Sequence, residues 1–207
     1  TDAAARLRCE GLLAKQVVDE AEFFRLEEEN KRLRAQANFL SSSGYDHVGA
    51  RVIGRELTQT RARLLIDRGT NDKLEDGQAV ITENGLFIGR IRSPQTSVAT
   101  VELLTDTNSR VSAAMAQGDQ LIGVVEGRGN GASVLTYVPS SVDLDADQII
   151  VTAGTEEKIP SHLALGIINA LNRKPKDPFY DASVDPLVRF DRISFVSILR
   201  PSALGSH

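Results

Sequence analysis

A single change of character near Ser41 limits what this 207-residue chain can become. From Ala14 to Leu40 there is no proline and no glycine, and Glu20 to Gln36 is crowded with Glu, Arg, Lys and Leu, all strong helix formers. Ser41-Ser42-Ser43-Gly44 then breaks the helix. Short β-branched runs follow, alternating with Gly, Asn and Asp turn residues. The pattern predicts a helix followed by a mainly β body.

Within the helix, Phe23, Leu26, Asn30, Leu33, Ala37 and Leu40 recur at alternating spacings of three and four, the a/d seam of a heptad repeat. A seam this narrow suits a partner helix, because a helix lying on a globular surface carries a wider apolar face. These six residues are therefore the expected oligomerisation contacts. Asn30 falls at an a position, where a buried amide costs stability but penalises misregistered pairings. Glu27 with Lys31 and Glu28 with Arg32, acid first and four apart, support the exposed faces. Upstream, Leu13, Val17 and Phe24 follow a different phase.

The β region reads as eleven short strands: His47–Arg55, Arg61–Asp67, Gln78–Thr82, Leu86–Arg92, Ala99–Leu104, Val111–Met115, Leu121–Glu126, Ser133–Tyr137, Gln148–Thr152, Ala164–Leu171 and Ile193–Leu199. Without a long helix between them, such strands make a sandwich or barrels, and closure removes exposed edges. Asn84-Gly85 predicts a tight hairpin turn with positive φ angles. Pro175–Pro186 reads as an irregular loop covering a barrel end.

Composition excludes several functions. With 24 Lys+Arg against 28 Asp+Glu, the chain lacks the positive field that phosphate-backbone binding requires, so no nucleic-acid partner is expected. One cysteine, Cys9, permits no intrachain disulfide framework and no multi-cysteine metal site. No apolar run reaches the length of a membrane-spanning helix, and no signal peptide opens the chain.

Catalytic residues are expected to be none. A serine triad would have to recruit His47 or His162, yet no serine sits in a Gly-x-Ser-x-Gly elbow and neither histidine lies in a local signature. Gly127-Arg128-Gly129-Asn130-Gly131-Ala132 has dinucleotide-binding spacing but leads into a strand, not a helix N-terminus, so it reads as a hairpin loop. Asp143-Leu144-Asp145-Ala146-Asp147 has Gln148 where a calcium loop needs glycine. No cofactor or metal site is expected. The competing functions are a two-barrel hydrolase using His47 or His162, and a cell-wall glycan or peptide module, for which no Trp, three Tyr and seven Phe are a poor supply of aromatic platform.

From about Glu20 to Leu199 a set of motifs follows in a fixed order. The helix carries Leu26-Glu27-Glu28-Glu29-Asn30 and Leu33. The β motifs are Ile66-Asp67-Arg68-Gly69-Thr70-Asn71-Asp72, Gly77-Gln78-Ala79-Val80, Asn84-Gly85-Leu86-Phe87-Ile88-Gly89-Arg90-Ile91, and Leu103-Leu104-Thr105-Asp106 with Asn108-Ser109-Arg110-Val111. In this order the motifs resemble the rod shape-determining protein MreC family. A later motif departs from that family: Ala153 stands where Ser is usual, Ile159 replaces an aromatic and His162 a glycine.

The resemblance implies an N-terminal coiled-coil helix followed by two small β-barrels in a chymotrypsin-like arrangement without the catalytic triad. On that plan residues 1–13 are frayed, 14–42 form the helix, 45–118 the first barrel, 119–200 the second, and 201–207 a tail read as a vector remnant. Insertion of one barrel in the other, or strand exchange, is left open. The resemblance further implies a non-enzymatic periplasmic scaffold of the elongasome, held to the inner membrane by an N-terminal anchor lying before Thr1. It would form dimers and higher filaments. It would organise or activate the penicillin-binding transpeptidase of cell-wall elongation, with MreD as a second partner and MreB reached indirectly. Ile159, Leu163 and Leu165 are candidates for the partner surface.

Overall fold

The computed structural model describes residues 45–116, 120–173 and 177–200. The heptad seam from Phe23 to Leu40, Cys9 and the tail lie outside the described residues.

Among the described residues, twelve strands form two closed six-stranded barrels. The first contains β1 (Asp46–Leu57), β2 (Ala62–Ile66), β3 (Ala79–Ile81), β4 (Phe87–Arg92), β5 (Ala99–Leu103) and β12 (Phe195–Arg200), in the order β1-β12-β3-β4-β5-β2. The second contains β6 (Arg110–Met115), β7 (Leu121–Gly129), β8 (Ala132–Pro139), β9 (Ile149–Ala153), β10 (Ser161–Asn172) and β11 (Phe179–Pro186), in the order β10-β11-β8-β7-β6-β9.

The second barrel is thus inserted whole between β5 and β12 of the first. The expected boundary at 118/119 is corrected on two counts: β6 belongs to the second barrel and β12 returns to the first. Adjacency in sequence misled here, because β5 and β6 follow one another along the chain yet lie in different sheets. A second correction concerns Pro175–Pro186, most of which is the strand β11. Its Tyr180, Ala182 and Val184 face the core while Phe179, Ser183 and Asp185 face out, the period of a half-buried strand.

Closure follows one rule in both barrels. A single 12-residue strand bends and pairs on both sides. β1 pairs with β12 through residues 46–51 and with β2 through 52–57, with a register shift between Val52 and Gly54. β10 pairs with β9 and β11 and shifts register between Ile168 and Ala170. An extra residue at each shift sharpens the local twist, and this lets a small sheet curl shut. Ile66, Val80, Ile88, Ile91 and Val101 fill the first barrel, and Val125, Leu135, Ile150, Ile168 and Ala182 the second.

The recurring polar motifs serve this backbone. Asp67 Oδ1 accepts from the Arg51 N–H at 2.7 Å, and Asp72 Oδ2 accepts from the Gly69 N–H at 3.0 Å. The Glu83-Asn84-Gly85 turn differs from expectation in detail. Of its residues only Gly85 takes a positive φ, of 78°, and the Thr82 N–H donates to Leu86 O across a three-residue loop at 2.9 Å.

Candidate functional site: the barrel junction and exposed apolar faces

The connector 104–109 carries the chain from the first barrel to the second, and Asp106 at its centre is fully buried. Its Oδ2 accepts from the Ala62 N–H and its Oδ1 from the Asn108 N–H, both at 2.9 Å, with Arg63 Nε at 3.6 Å. A carboxylate can be buried only when hydrogen-bonded and paired, and here it ties the connector to β2.

The β7–β8 hairpin wedges against the same connector. The Gly127 N–H donates to Ser109 O at 3.1 Å, the Gly129 N–H to Thr105 O at 2.9 Å, and the Asn130 N–H to Gln59 O at 3.0 Å. A Cβ at Gly127 would lie 2.0 Å from Asp106 O, and one at Gly129 1.9 Å from Gln59 O. The glycine-rich segment read as a hairpin loop is therefore a fitted contact between barrels. Beside it opens a cleft of about 670 Å³, with Leu57, Pro186, Val188 and Phe190 on its walls and Thr105 and Asn130 at the connector side.

The candidate partner residues Ile159, Leu163 and Leu165 are 2%, 6% and 1% exposed, so the surface assigned to them is corrected: they are core. Leu163 and Leu165 are alternate inward positions of β10. The apolar side chains that do face water lie elsewhere. On the second barrel Tyr137 is 62% exposed, Phe179 51% and Leu121 50%. Phe179 pairs across the sheet with Pro139, two residues from Tyr137. On the first barrel Ile53 and Phe195 are half exposed, with the Arg51 guanidinium 5.6 Å from the Phe195 ring centre. The alternation that marks β11 would have flagged Phe179, but three flanking prolines masked it.

His47 is the second residue of β1 in the first barrel and His162 lies on β10 of the second, both exposed. The backbone of His162 is left-handed, with φ of 64°, at the position where the resembled family has glycine. Among the described residues no group of His, Cys, Asp and Glu could hold a metal ion. Asp143, in the segment compared with a calcium loop, instead binds Arg173 at 2.7 Å, and this hydrogen bond raises the Arg173 pKa. The Arg173 guanidinium stacks 4.6 Å from the Tyr180 ring centre.

The family model described as rod shape-determining protein MreC, barrel core, matches residues 52–200. The chain belongs to the MreC family. The cell shape-determining MreC of Listeria monocytogenes is 30% identical over 189 residues, covering 89% of this chain and 64% of the relative, so the chain spans less than two thirds of that relative's length. A solved MreC from Listeria monocytogenes is 28% identical, with a TM-score of 0.68, covering 92% of this chain and 93% of that one. Two more distant structures share the fold. One, at 19% identity and TM-score 0.64 over 75% of this chain and 95% of that one, is described as the major periplasmic domain of the cell shape-determining filament MreC. The other, at 12% identity and TM-score 0.60 over 76% and 99%, is MreC from Helicobacter pylori in a complex with the penicillin-binding protein PBP2. MreC proteins are structural, cell shape-determining proteins and not enzymes. The hydrolase alternative is set aside on that ground. Among the described residues no helix is long and apolar enough to cross a membrane.

Proposed function

We propose that this chain is the periplasmic part of a cell-shape scaffold that self-associates and docks a penicillin-binding transpeptidase. The observation that carries the reading is the match of the MreC barrel core to residues 52–200, together with a relative of the same fold held in a complex with PBP2. The exposed aromatics add a physical reason. Tyr137, Phe179 and Leu121 leave apolar area in water on one barrel, and burying such area is the dominant favourable contribution to association.

Two modules divide the work. The helix pairs through Phe23, Leu26, Asn30, Leu33, Ala37 and Leu40 and builds dimers and then filaments. The barrels hold the transpeptidase, with MreD as a second partner and MreB reached indirectly. An anchor preceding the helix keeps the scaffold at the inner membrane.

The deciding experiment measures binding of the purified transpeptidase to immobilised chain. Tyr137→Ser with Phe179→Ser is expected to weaken binding at least tenfold without changing the fold. Undiminished binding by the folded double variant refutes the assigned surface, and failure of the unsubstituted chain to bind refutes the partner. Self-association is tested separately by sedimentation. Leu26→Lys with Leu33→Lys should give monomers, and an unchanged mass refutes the seam.

A further inference from the structure

Beyond the apolar core that runs through both, the two barrels meet through two chemically different sets of polar contacts. The first, along the connector, consists of backbone hydrogen bonds with the buried Asp106 carboxylate and the close approach of Gly127 and Gly129. None of its backbone bonds involves a mobile charge. The second lies where the β9–β10 turn of the inserted barrel reaches the loop before β3. There Lys158 Nζ sits 2.7 Å from Glu75 Oε2 and donates to Asp76 O at 3.2 Å, while the Ala79 N–H donates to Lys158 O at 3.1 Å. Arg92 holds that loop in place through Asp76 at 3.0 Å. Beside it, Arg90 on β4 donates to Arg110 O at the start of β6. Within the inserted barrel, Glu156 on the same turn accepts from the N–H and hydroxyl of Ser112, both at 3.2 Å, and so steadies the turn.

We infer that the second set is an electrostatic latch, centred on Lys158 and Arg90, which lets the inserted barrel swing away from the first about the connector without either barrel unfolding. The Lys158 and Glu75 side chains are 32% and 64% exposed, and ion pairs in such positions contribute little and are screened by salt. On the connector edge Thr105, Ser109, Gly127 and Gly129 are buried, so salt scarcely reaches the backbone bonds among them. A junction built from one weak charged edge and one firm backbone edge opens at the weak edge first. Arg90 adds to the imbalance: burial, and then its neighbour Arg92, lower its pKa, so its charge is held there at a cost that Glu156, Glu102 and Asp76 only partly offset. This device does not depend on which partner the barrels hold.

Amide hydrogen exchange on the full chain reads the two edges separately. The Ala79 N–H donates across the latch and the Gly129 N–H across the connector edge, and both residues are buried. Raising salt from about 0.01 M to about 1 M shortens the screening length from about 30 Å to about 3 Å. The exchange rate of Ala79 relative to Gly129 is expected to rise about threefold over that range. Lys158→Ala at low salt should reproduce the raised ratio and leave it insensitive to salt. A ratio that stays constant across the salt range overturns the latch. So does a rise with salt that Lys158→Ala fails to match, because the screened charges would then lie elsewhere.

Discussion

The second barrel is one uninterrupted stretch, β6 to β11, whereas the first stays open until β12 returns from the far side of that insertion. Both use a 12-residue bent strand with a register shift, and both fill their centres with β-branched and leucine side chains. They differ in when closure becomes possible. In the second barrel, β10 and β11 are neighbours in sequence and pair locally. In the first, β1 at residue 46 must find β12 at residue 200. Contacts of such sequence separation form late, because the loop entropy is lost before the contact is gained. The first barrel is therefore the part whose integrity hangs on a distant segment.

The sharpest way to break this contrast is to end the chain before Phe195. Removing β12 takes Val196, Ile198 and Leu199 out of the core and leaves β1 and β3 as open edges. A loss of more than about 5 kcal/mol is expected for the first barrel. Amide exchange should show β2, β4 and β5 unprotected while β7, β8 and β11 keep their protection. Simultaneous loss in both barrels would mean that they form one cooperative unit.

Smaller perturbations test the junction. Gly129→Ala and Gly131→Ala start from nearly the same φ, 74° and 77°, but only the first puts a Cβ against another backbone. Urea unfolding should show a cost of about 3–5 kcal/mol for Gly129→Ala. For Gly131→Ala, the left-handed conformation alone should cost about 1 kcal/mol. Equal costs would show that the close approach to Gln59 has no energetic weight. Asp106→Ala strands the Ala62 N–H and should cost about 2 kcal/mol, with Asp106→Asn recovering part of it through its remaining oxygen. The smallest effect is a gain. His162→Gly relieves a left-handed backbone in the second barrel and should raise stability by about 0.5 kcal/mol in thermal melts, after the entropy cost of glycine is taken off.

Much of the β body can be read from the residues. The expected strands His47–Arg55, Leu86–Arg92 and Val111–Met115 match β1, β4 and β6 within two residues, because alternation and turn residues act over a few positions. β11 was hidden by Pro175, Pro178 and Pro186, whose turn signals outweigh the short alternation between them. The proposed interaction surface was less accessible. Ile159, Leu163 and Leu165 are apolar in sequence, but apolarity does not say which face of a strand is inward, and burial settled against them. Tyr137 gave no sign of exposure, because its outward position comes with a φ of 60° at a break in the β8–β11 register.

What the residues determine alone is local: strand and turn positions, the poverty of catalytic groups, and an ordered set of motifs specific enough to point to a family. The tertiary structure decides what depends on distant segments meeting. It places the second barrel inside the first and uses Gly127 and Gly129 for contact at the junction between barrels. It also sets a charged edge at Lys158 against a backbone edge at Asp106. The reason is one of range. Turn and strand preferences are properties of a few consecutive residues, whereas closure between β1 and β12, some 150 residues apart, exists only once the chain between them has folded.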